Sequence, residues 1–279
     1  MAVHVVTDST ADLPPEMAKQ WGITVVPLNV HFGDQVFKDG VTITVEEFFR
    51  RLAAGPHFPS TSQPSVGEFL EVYKRLTASG DQVVSIHISD KMSGTLNSAR
   101  QAKEAMGPSA HVEIIDSMSA SIGVGFVALE AAKVARAGGS PQQVADRARD
   151  LVPRLRIFFV VDTLEYLAKG GRISKAKAFL GNLLNVKPIL VVKDGEVGPL
   201  EQVRTRERAL DRLAQLIEQS APLEALAVVH ATTPADAISL ADRLKRLAPR
   251  GEVVMAHMGA VIGTHTGPGT VGALAVVAR

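Results

Sequence analysis

Strand-to-helix units recur along the first half of the chain, and this order restricts the fold more than any other feature of the sequence. Residues 3–8, 82–89 and 112–116 are short apolar segments typical of buried strands. Each is followed by small or hydroxyl residues that suit a turn and then by apolar residues at helical spacing. Such repeats predict an α/β fold with a mostly parallel sheet covered by helices on both faces.

Between the first two strands, local signals predict two helices. Thr44 precedes apolar residues at helical spacing, and Ser65 forms a capping-box pattern with Glu68. Residues 23–32 are expected to be extended, with Pro27 indicating an edge position or a bulge. The intervening residues 59–64 are expected to be a loop.

The pattern changes from residue 157 onward. We expect a helix that stops at Gly170 and Gly171, another that starts at Ser174, and a hairpin that turns at Asp194 and Gly195. Apolar segments near residues 225–230, 253–257 and 272–278 would complete a mixed sheet. The sequence therefore predicts an N-terminal α/β domain over residues 1–156 and a C-terminal mixed α/β domain over 157–279.

Composition excludes several classes of function. The 279 residues carry 30 Lys and Arg against 29 Asp and Glu, so no net field draws the chain to nucleic acid or to an anionic membrane. No cysteine is present, which excludes disulfides and thiolate chemistry. The N-terminus lacks the pattern of a signal peptide, and no apolar run is long enough for a membrane span. We therefore expect a cytoplasmic protein.

Three segments rich in hydroxyl groups stand where the chain is expected to enter a helix. They are residues 8–10, 60–62 and 93–95. Backbone N–H groups at a helix N-terminus, together with a Ser or Thr hydroxyl, can hold a carboxylate or a phosphate. Plain helix capping is the alternative, and it is the more common reason for any one such segment. Ser93 is the most suggestive because Gly94 would let a ligand approach the backbone.

Two further segments contain residues suited to binding. Residues 263–270 combine three glycines, three threonines and His265, and we expect a loop in which His265 donates to an anion or titrates near neutral pH. A structural turn is the alternative, and the Gly-Lys-Ser/Thr ending of a phosphate-binding loop is missing. Arg172 follows Gly170 and Gly171 and would project toward an anion or an acidic partner. The alternative is a corner between two helices with an exposed basic residue.

Other motifs argue against catalysis. Gly123 and Gly125 superficially match a dinucleotide fingerprint, but the spacing from the preceding strand is wrong, and they would instead permit close packing or leave room for an apolar ligand. The sequence contains neither a Gly-x-Ser-x-Gly elbow nor a His-Glu-x-x-His motif. Its eight histidines are dispersed, so no metal site is predicted.

Six motifs, in the same order from end to end, make the chain resemble the DegV family. These motifs lie at residues 8–14, 61–65, 92–99, 162–174, 187–190 and 263–270. The resemblance implies a two-domain DegV-like fold that buries one long-chain fatty acid, such as palmitate, stearate or oleate, at a site between or adjoining the two domains. It also implies a carrier without catalytic residues or cofactor, which presents the carboxylate to a fatty acid kinase.

Carried over motif by motif, the resemblance implies a role for individual residues. Those expected at the carboxylate are Thr61, Ser62, Ser93, Gly94 and His265, while Arg172 is expected near the surface used by the kinase. A phosphoryl- or acyl-transfer enzyme that uses the Gly263–Thr270 segment and His265 remains the alternative. A regulatory interaction module is a third.

Overall fold

The fold was analysed in a computed structural model that describes residues 1–55, 57–108, 110–179 and 186–279. The helices are α1 Pro15–Gln20, α2 Val45–Ala54, α3 Val66–Thr77, α4 Thr95–Ala105, α5 Ile122–Arg136, α6 Pro141–Leu151, α7 Glu165–Lys169, α8 Arg206–Glu218, α9 Pro234–Leu244 and α10 Ala260–Thr266. The strands are β1 Val3–Asp8, β2 Thr24–Val26, β3 Asn29–Phe32, β4 Gln35–Lys38, β5 Ser60–Ser62, β6 Gln82–His87, β7 Val112–Asp116, β8 Leu155–Val160, β9 Lys187–Lys193, β10 Glu196–Val203, β11 Leu223–His230, β12 Val254–His257 and β13 Val271–Val277.

A parallel four-stranded sheet forms the N-terminal part, in the order β2-β1-β6-β7. Its strands are apolar on both faces because helices cover both. Phe69 and Tyr73 of α3 pack on one face together with α4, while α5 and α6 contribute to the core on the other. The α/β prediction for this part is confirmed.

The later strands form a mixed six-stranded sheet in the order β10-β9-β8-β13-β11-β12. Only the β11 and β12 pair is parallel among the strand pairs of this sheet in the described residues. The predicted hairpin turns at Asp194 and Gly195, which have φ of 54° and 78°, as a tight turn of this kind requires. Helices α8 and α9 cover one face of the sheet. The domain boundary at residue 156 stays a prediction.

A small antiparallel sheet, in the order β4-β3-β5, was not expected from the sequence. The extended segment over residues 23–32 divides into β2 and β3, and the predicted loop at 59–64 was wrong because Ser60–Ser62 pairs with Asn29–His31. Phe48 of α2 and Val261 of α10 pack against this sheet. The small sheet is therefore packed against α10 of the C-terminal part.

Helix α5 lies between the two large sheets, and its residues 122–129 are all buried. Its glycines serve close packing: a Cβ at Gly125 would stand 2.6 Å from the carbonyl oxygen of Ala11. The segment predicted to start a helix at Ser174 is a 3-10 turn over Ser174–Phe179, and residues 180–185 lie outside the described residues. None of the described helices is long and apolar enough to cross a membrane.

Candidate functional site

A cavity lies between the inner face of the mixed sheet and the elements opposite it. It contains about 930 Å³ of space free of protein atoms, including its mouth. Most of its wall consists of apolar side chains from the mixed sheet, from α5, α7 and α10 and from neighbouring loops, among them Ile88, Met92, Ile122, Ile157, Phe159, Leu167, Val192, Val197, Val229, Met258, Val261, Ile262 and Leu274. An apolar space with few polar groups is typical of a small-molecule site.

One polar group of side chains lines the same cavity. Its members come from β5, from the turn after β6, from α10 and from the segment after α7, and they are Thr61, Ser62, Gln63, Ser93, His265 and Arg172. Gln63 and Arg172 are exposed to solvent, whereas Thr61, Ser93 and His265 are partly buried. The exposed pair indicates the mouth, and the hydroxyl groups lie just inside it.

Thr61 and His265 meet although they are 204 residues apart in the sequence: Thr61 Oγ1 lies 2.9 Å from His265 Nε2. Burial, with a smaller effect of the Arg172 charge, lowers the pKa of His265 to about 4. The imidazole is therefore neutral at pH 7, contrary to the expectation that it titrates near neutral pH.

The tautomer of His265 follows from its surroundings. Nδ1 is buried and has no hydrogen-bond partner among the described residues. It lies close to Gly170, since a Cβ at Gly170 would stand 2.1 Å from His265 Nδ1. An unpaired buried N–H is disfavoured, so we assign the proton to Nε2. Nε2–H then donates to Thr61 Oγ1, and the Thr61 hydroxyl hydrogen is left free for an acceptor in the cavity.

Ser93 has a similar arrangement at the start of α4. Its Oγ accepts a hydrogen bond from the backbone N–H of Thr95 at 3.3 Å and lies 2.8 Å from Thr95 Oγ1. When Thr95 donates, the Ser93 hydroxyl hydrogen is also free. Gly94 does not line the cavity. It packs against the carboxamide of Gln63, so that a Cβ at Gly94 would stand 2.7 Å from Gln63 Nε2.

The other two predicted residues, Ser62 and Arg172, already form hydrogen bonds within the protein. Ser62 Oγ accepts from Asn29 Nδ2 at 3.1 Å and lies 2.9 Å from His31 Nε2, so it has less freedom than Thr61. The guanidinium of Arg172 donates to the carbonyl oxygens of Met92 at 3.1 Å and of Gly170 at 2.7 Å. These bonds tie the two segments that border the mouth while Arg172 remains exposed.

The first hydroxyl segment does not contribute free donors. Thr10 lines the cavity, but its hydroxyl and its backbone N–H both donate to the Asp8 carboxylate. Ser9 Oγ accepts from the backbone N–H of Leu28 at 3.1 Å. Capping and turn formation therefore account for this segment.

The expected loop at residues 263–270 was wrong in its first half, which is part of α10. Two buried carboxylates stabilise the start of this helix: Asp12 accepts from the N–H of Gly259 at 2.8 Å and Asp39 from that of Ala260 at 3.0 Å. Burial raises the pKa of both carboxyl groups. These acids, which sequence reasoning missed as parts of the site, set the position of the helix that carries His265.

A serine, a histidine and an aspartate also form a hydrogen-bonded row below the cavity. Ser85 Oγ lies 2.7 Å from His87 Nε2, and His87 Nδ1 lies 2.9 Å from Asp8 Oδ2. All three are fully buried, and the Tyr73 hydroxyl donates to Ser85 at 2.8 Å. The row resembles a hydrolase triad in its contacts, yet Ser85 and His87 are absent from the cavity lining. Its role is to orient Asp8 and Thr10.

No cluster of three or more metal-ligating side chains occurs within the part of the chain that the structure describes. The site thus offers hydroxyl donors, a neutral imidazole and one cation at the mouth of an apolar space. This arrangement suits an amphiphile with a single acceptor group.

Comparison with known proteins gives consistent matches over the whole chain. Residues 2–278 match the model of the DegV family of uncharacterised proteins. Protein DegV from Bacillus subtilis is 37% identical over 277 residues, which is 98% of each chain. The structure of a DegV family protein from Thermus thermophilus, described as binding fatty acid, has a TM-score of 0.93 at 35% identity over 100% of both chains. A stearic-acid-binding protein from Eubacterium ventriosum has a TM-score of 0.88 at 28% identity, over 99% of this chain and 98% of its own.

Proposed function

Since the chain belongs to the DegV family, we propose that it binds one long-chain fatty acid, such as palmitate, stearate or oleate. The acyl chain would occupy the apolar cavity, and the carboxylate would lie at its hydroxyl-lined end. The observation that carries this proposal is the largely apolar cavity with a free hydroxyl donor beside a neutral imidazole at its mouth. Similar structures described as fatty-acid-binding proteins support the same ligand class.

The energetics favour such a ligand. Burying about fifteen methylenes at about 0.8 kcal/mol each gives about 12 kcal/mol before the costs of association are subtracted. A buried carboxylate without partners would lose several kcal/mol of this. The free hydroxyl hydrogens of Thr61 and Ser93 would provide the required donors.

We also propose that the protein is a carrier that presents the carboxylate to a separate fatty acid kinase. Hydroxyl groups hold a carboxylate without a full salt bridge, which would leave an oxygen available to a phosphoryl donor. Arg172 is exposed beside the mouth and would contact the kinase or the transferred phosphate. The protein itself would contribute binding and orientation, not catalysis.

Native mass spectrometry of the purified protein tests the ligand. We expect an added mass that corresponds to a fatty acid, released on denaturation. Thr61→Ala and Ser93→Ala should each weaken retention, whereas Ser60→Ala, which changes an exposed hydroxyl on the same strand β5, should not. A protein without bound lipid that also fails to take up added palmitate or oleate would refute the proposal.

The carrier role has its own test. Incubation of the protein with ATP, magnesium and palmitate should give no acyl phosphate until a bacterial fatty acid kinase is added. Arg172→Ala should lower the rate of that coupled reaction while leaving palmitate affinity nearly unchanged. Acyl phosphate formed by the protein alone would instead support the enzyme that was the alternative from the sequence.

A further inference from the structure

A glycine in α5 lies directly behind one part of the cavity wall. A Cβ at Gly123 would stand 2.1 Å from Ser119 Oγ, 2.7 Å from Ile157 Cδ1 and 3.1 Å from Leu274 Cδ1. Both of those side chains line the cavity, whereas Gly123 does not. The missing side chain therefore provides the space into which the tips of Ile157 and Leu274 retract.

The Ile157 and Leu274 pair marks the inner limit of the cavity along the sheet. In the antiparallel register of β8 and β13, Phe159 lies opposite Gly272 and Ile157 opposite Leu274, and all four residues line the cavity. The next pair, Leu155 and Val276, does not. Arg172, which is exposed at the mouth, follows β8 in the chain, so Ile157 is farther from the mouth than Phe159.

We propose that Gly123 sets the depth of the cavity and thereby the longest acyl chain that the protein accepts. This inference rests on the proposed fatty-acid function and adds a determinant of chain length to it. A glycine at residue 123 lets Ile157 and Leu274 lie back against α5, and any larger residue would push them toward the ligand.

Helix α5 has little room to yield to such a change. Gly125 packs so closely that a Cβ there would stand 2.6 Å from the carbonyl oxygen of Ala11, and residues 122–129 are buried. The atoms facing Gly123 are instead the ends of three side chains, so Ser119 must change its rotamer and the tips of Ile157 and Leu274 must move. A methyl group at residue 123 would therefore displace Ile157 Cδ1 into the cavity.

The effect on binding depends on the length of the ligand. A fatty acid that ends short of Ile157 loses no contact, while a longer one loses the space for about one methylene. Loss of one buried methylene lowers affinity about fourfold. The ratio of stearate to laurate affinity should thus fall by about fourfold or more in Gly123→Ala.

The experiment measures dissociation constants for laurate, myristate, palmitate and stearate with the full chain. Gly123→Ala should weaken stearate and leave laurate nearly unchanged, and Gly123→Ala with Ile157→Val should restore the original ratio. Leu274→Ala should shift preference toward stearate, and it tests the inference even if Gly123→Ala fails to fold. Gly67→Ala in α3, whose Cβ would lie 3.8 Å from Ser65 Oγ, is the matched control.

The outcomes separate the two proposals. If the wild-type protein binds the acids but Gly123→Ala and Leu274→Ala leave the stearate-to-laurate ratio unchanged, or weaken all four acids equally, the depth inference is overturned. If the wild-type protein binds none of the four acids, the proposed function itself is refuted and the inference falls with it.

Discussion

The substitution Gly170→Ala should displace His265 from the mouth of the cavity. A Cβ at Gly170 would stand 2.1 Å from Nδ1 of His265, against about 3.4 Å for an ordinary van der Waals contact. The ring must therefore retreat by about 1.3 Å. Because Nε2 lies only 2.9 Å from Thr61 Oγ1, a retreat of this size breaks or weakens their hydrogen bond.

The bond leaves the Thr61 hydroxyl hydrogen free for the carboxylate, so its loss should cost the bond from Thr61 to the ligand. One such bond is worth about 0.5–1.5 kcal/mol, which corresponds to a decrease in fatty acid affinity of about 2- to 12-fold. The displaced imidazole should also become better solvated, so its pKa should rise from about 4 toward the ordinary value of 6.5. Titration calorimetry with palmitate and an NMR titration of the histidine ring protons measure the two effects. Unchanged affinity together with an unchanged His265 pKa, in a variant that is folded, would refute this account of how the ring is positioned.

Three further predictions concern stability. The pKa of His265 is lowered to about 4, so His265 takes up a proton in the unfolded chain at a higher pH than in the folded chain. The free energy of unfolding should therefore fall by about 3 kcal/mol as the pH drops from 6.5 through 4. Urea titrations should show a smaller fall in His265→Gln. Burial raises the pKa of Asp12, so its contribution is favourable at low pH and is lost as the pH rises. Asp12→Asn should therefore lose less unfolding free energy than the wild type between pH 4 and pH 7 in urea titrations, and an equal loss in both proteins would contradict this. Tyr73→Phe removes the bond to Ser85 and should cost about 0.5–1.5 kcal/mol in unfolding free energy with no change in palmitate affinity.

Elements with local signals could be predicted from the sequence. The Ser65 hydroxyl accepts from the N–H of Glu68, and the Glu68 carboxylate accepts from the N–H of Ser65, as the capping-box pattern indicates. The turn at Asp194 and Gly195 is equally local, because its residue types determine which backbone angles are accessible. In both cases the partners lie within three residues of each other.

Elements held by distant partners could not be predicted in this way. Strand β5 consists of Ser60, Thr61 and Ser62, whose composition favours a turn, and it is extended because β3 supplies its hydrogen bonds. Helix α10 begins in a glycine-rich segment because two carboxylates more than 200 residues earlier in the sequence accept its first N–H groups. The motif resemblance singled out Thr61 and His265 separately, but their contact depends on both of these long-range pairings.

The position of the hydroxyl groups follows from the strand order. The parallel sheet has the strand order β2-β1-β6-β7. Strand β2, which follows β1 in the chain, lies on one side of β1, and β6 lies on the other side. The direction of the strand order therefore reverses between β1 and β6. Parallel α/β sheets bind ligands at such a point, beyond the carboxyl ends of the strands. The turn after β1 supplies Thr10, and the turn after β6 supplies Ser93. The Thr10 hydroxyl already donates to the Asp8 carboxylate, so Ser93 provides the free hydroxyl donor at this crevice. Strand β5 brings Thr61 to the same place. The mixed sheet then closes the crevice with apolar side chains, which converts an open polar cleft into a site for an amphiphile.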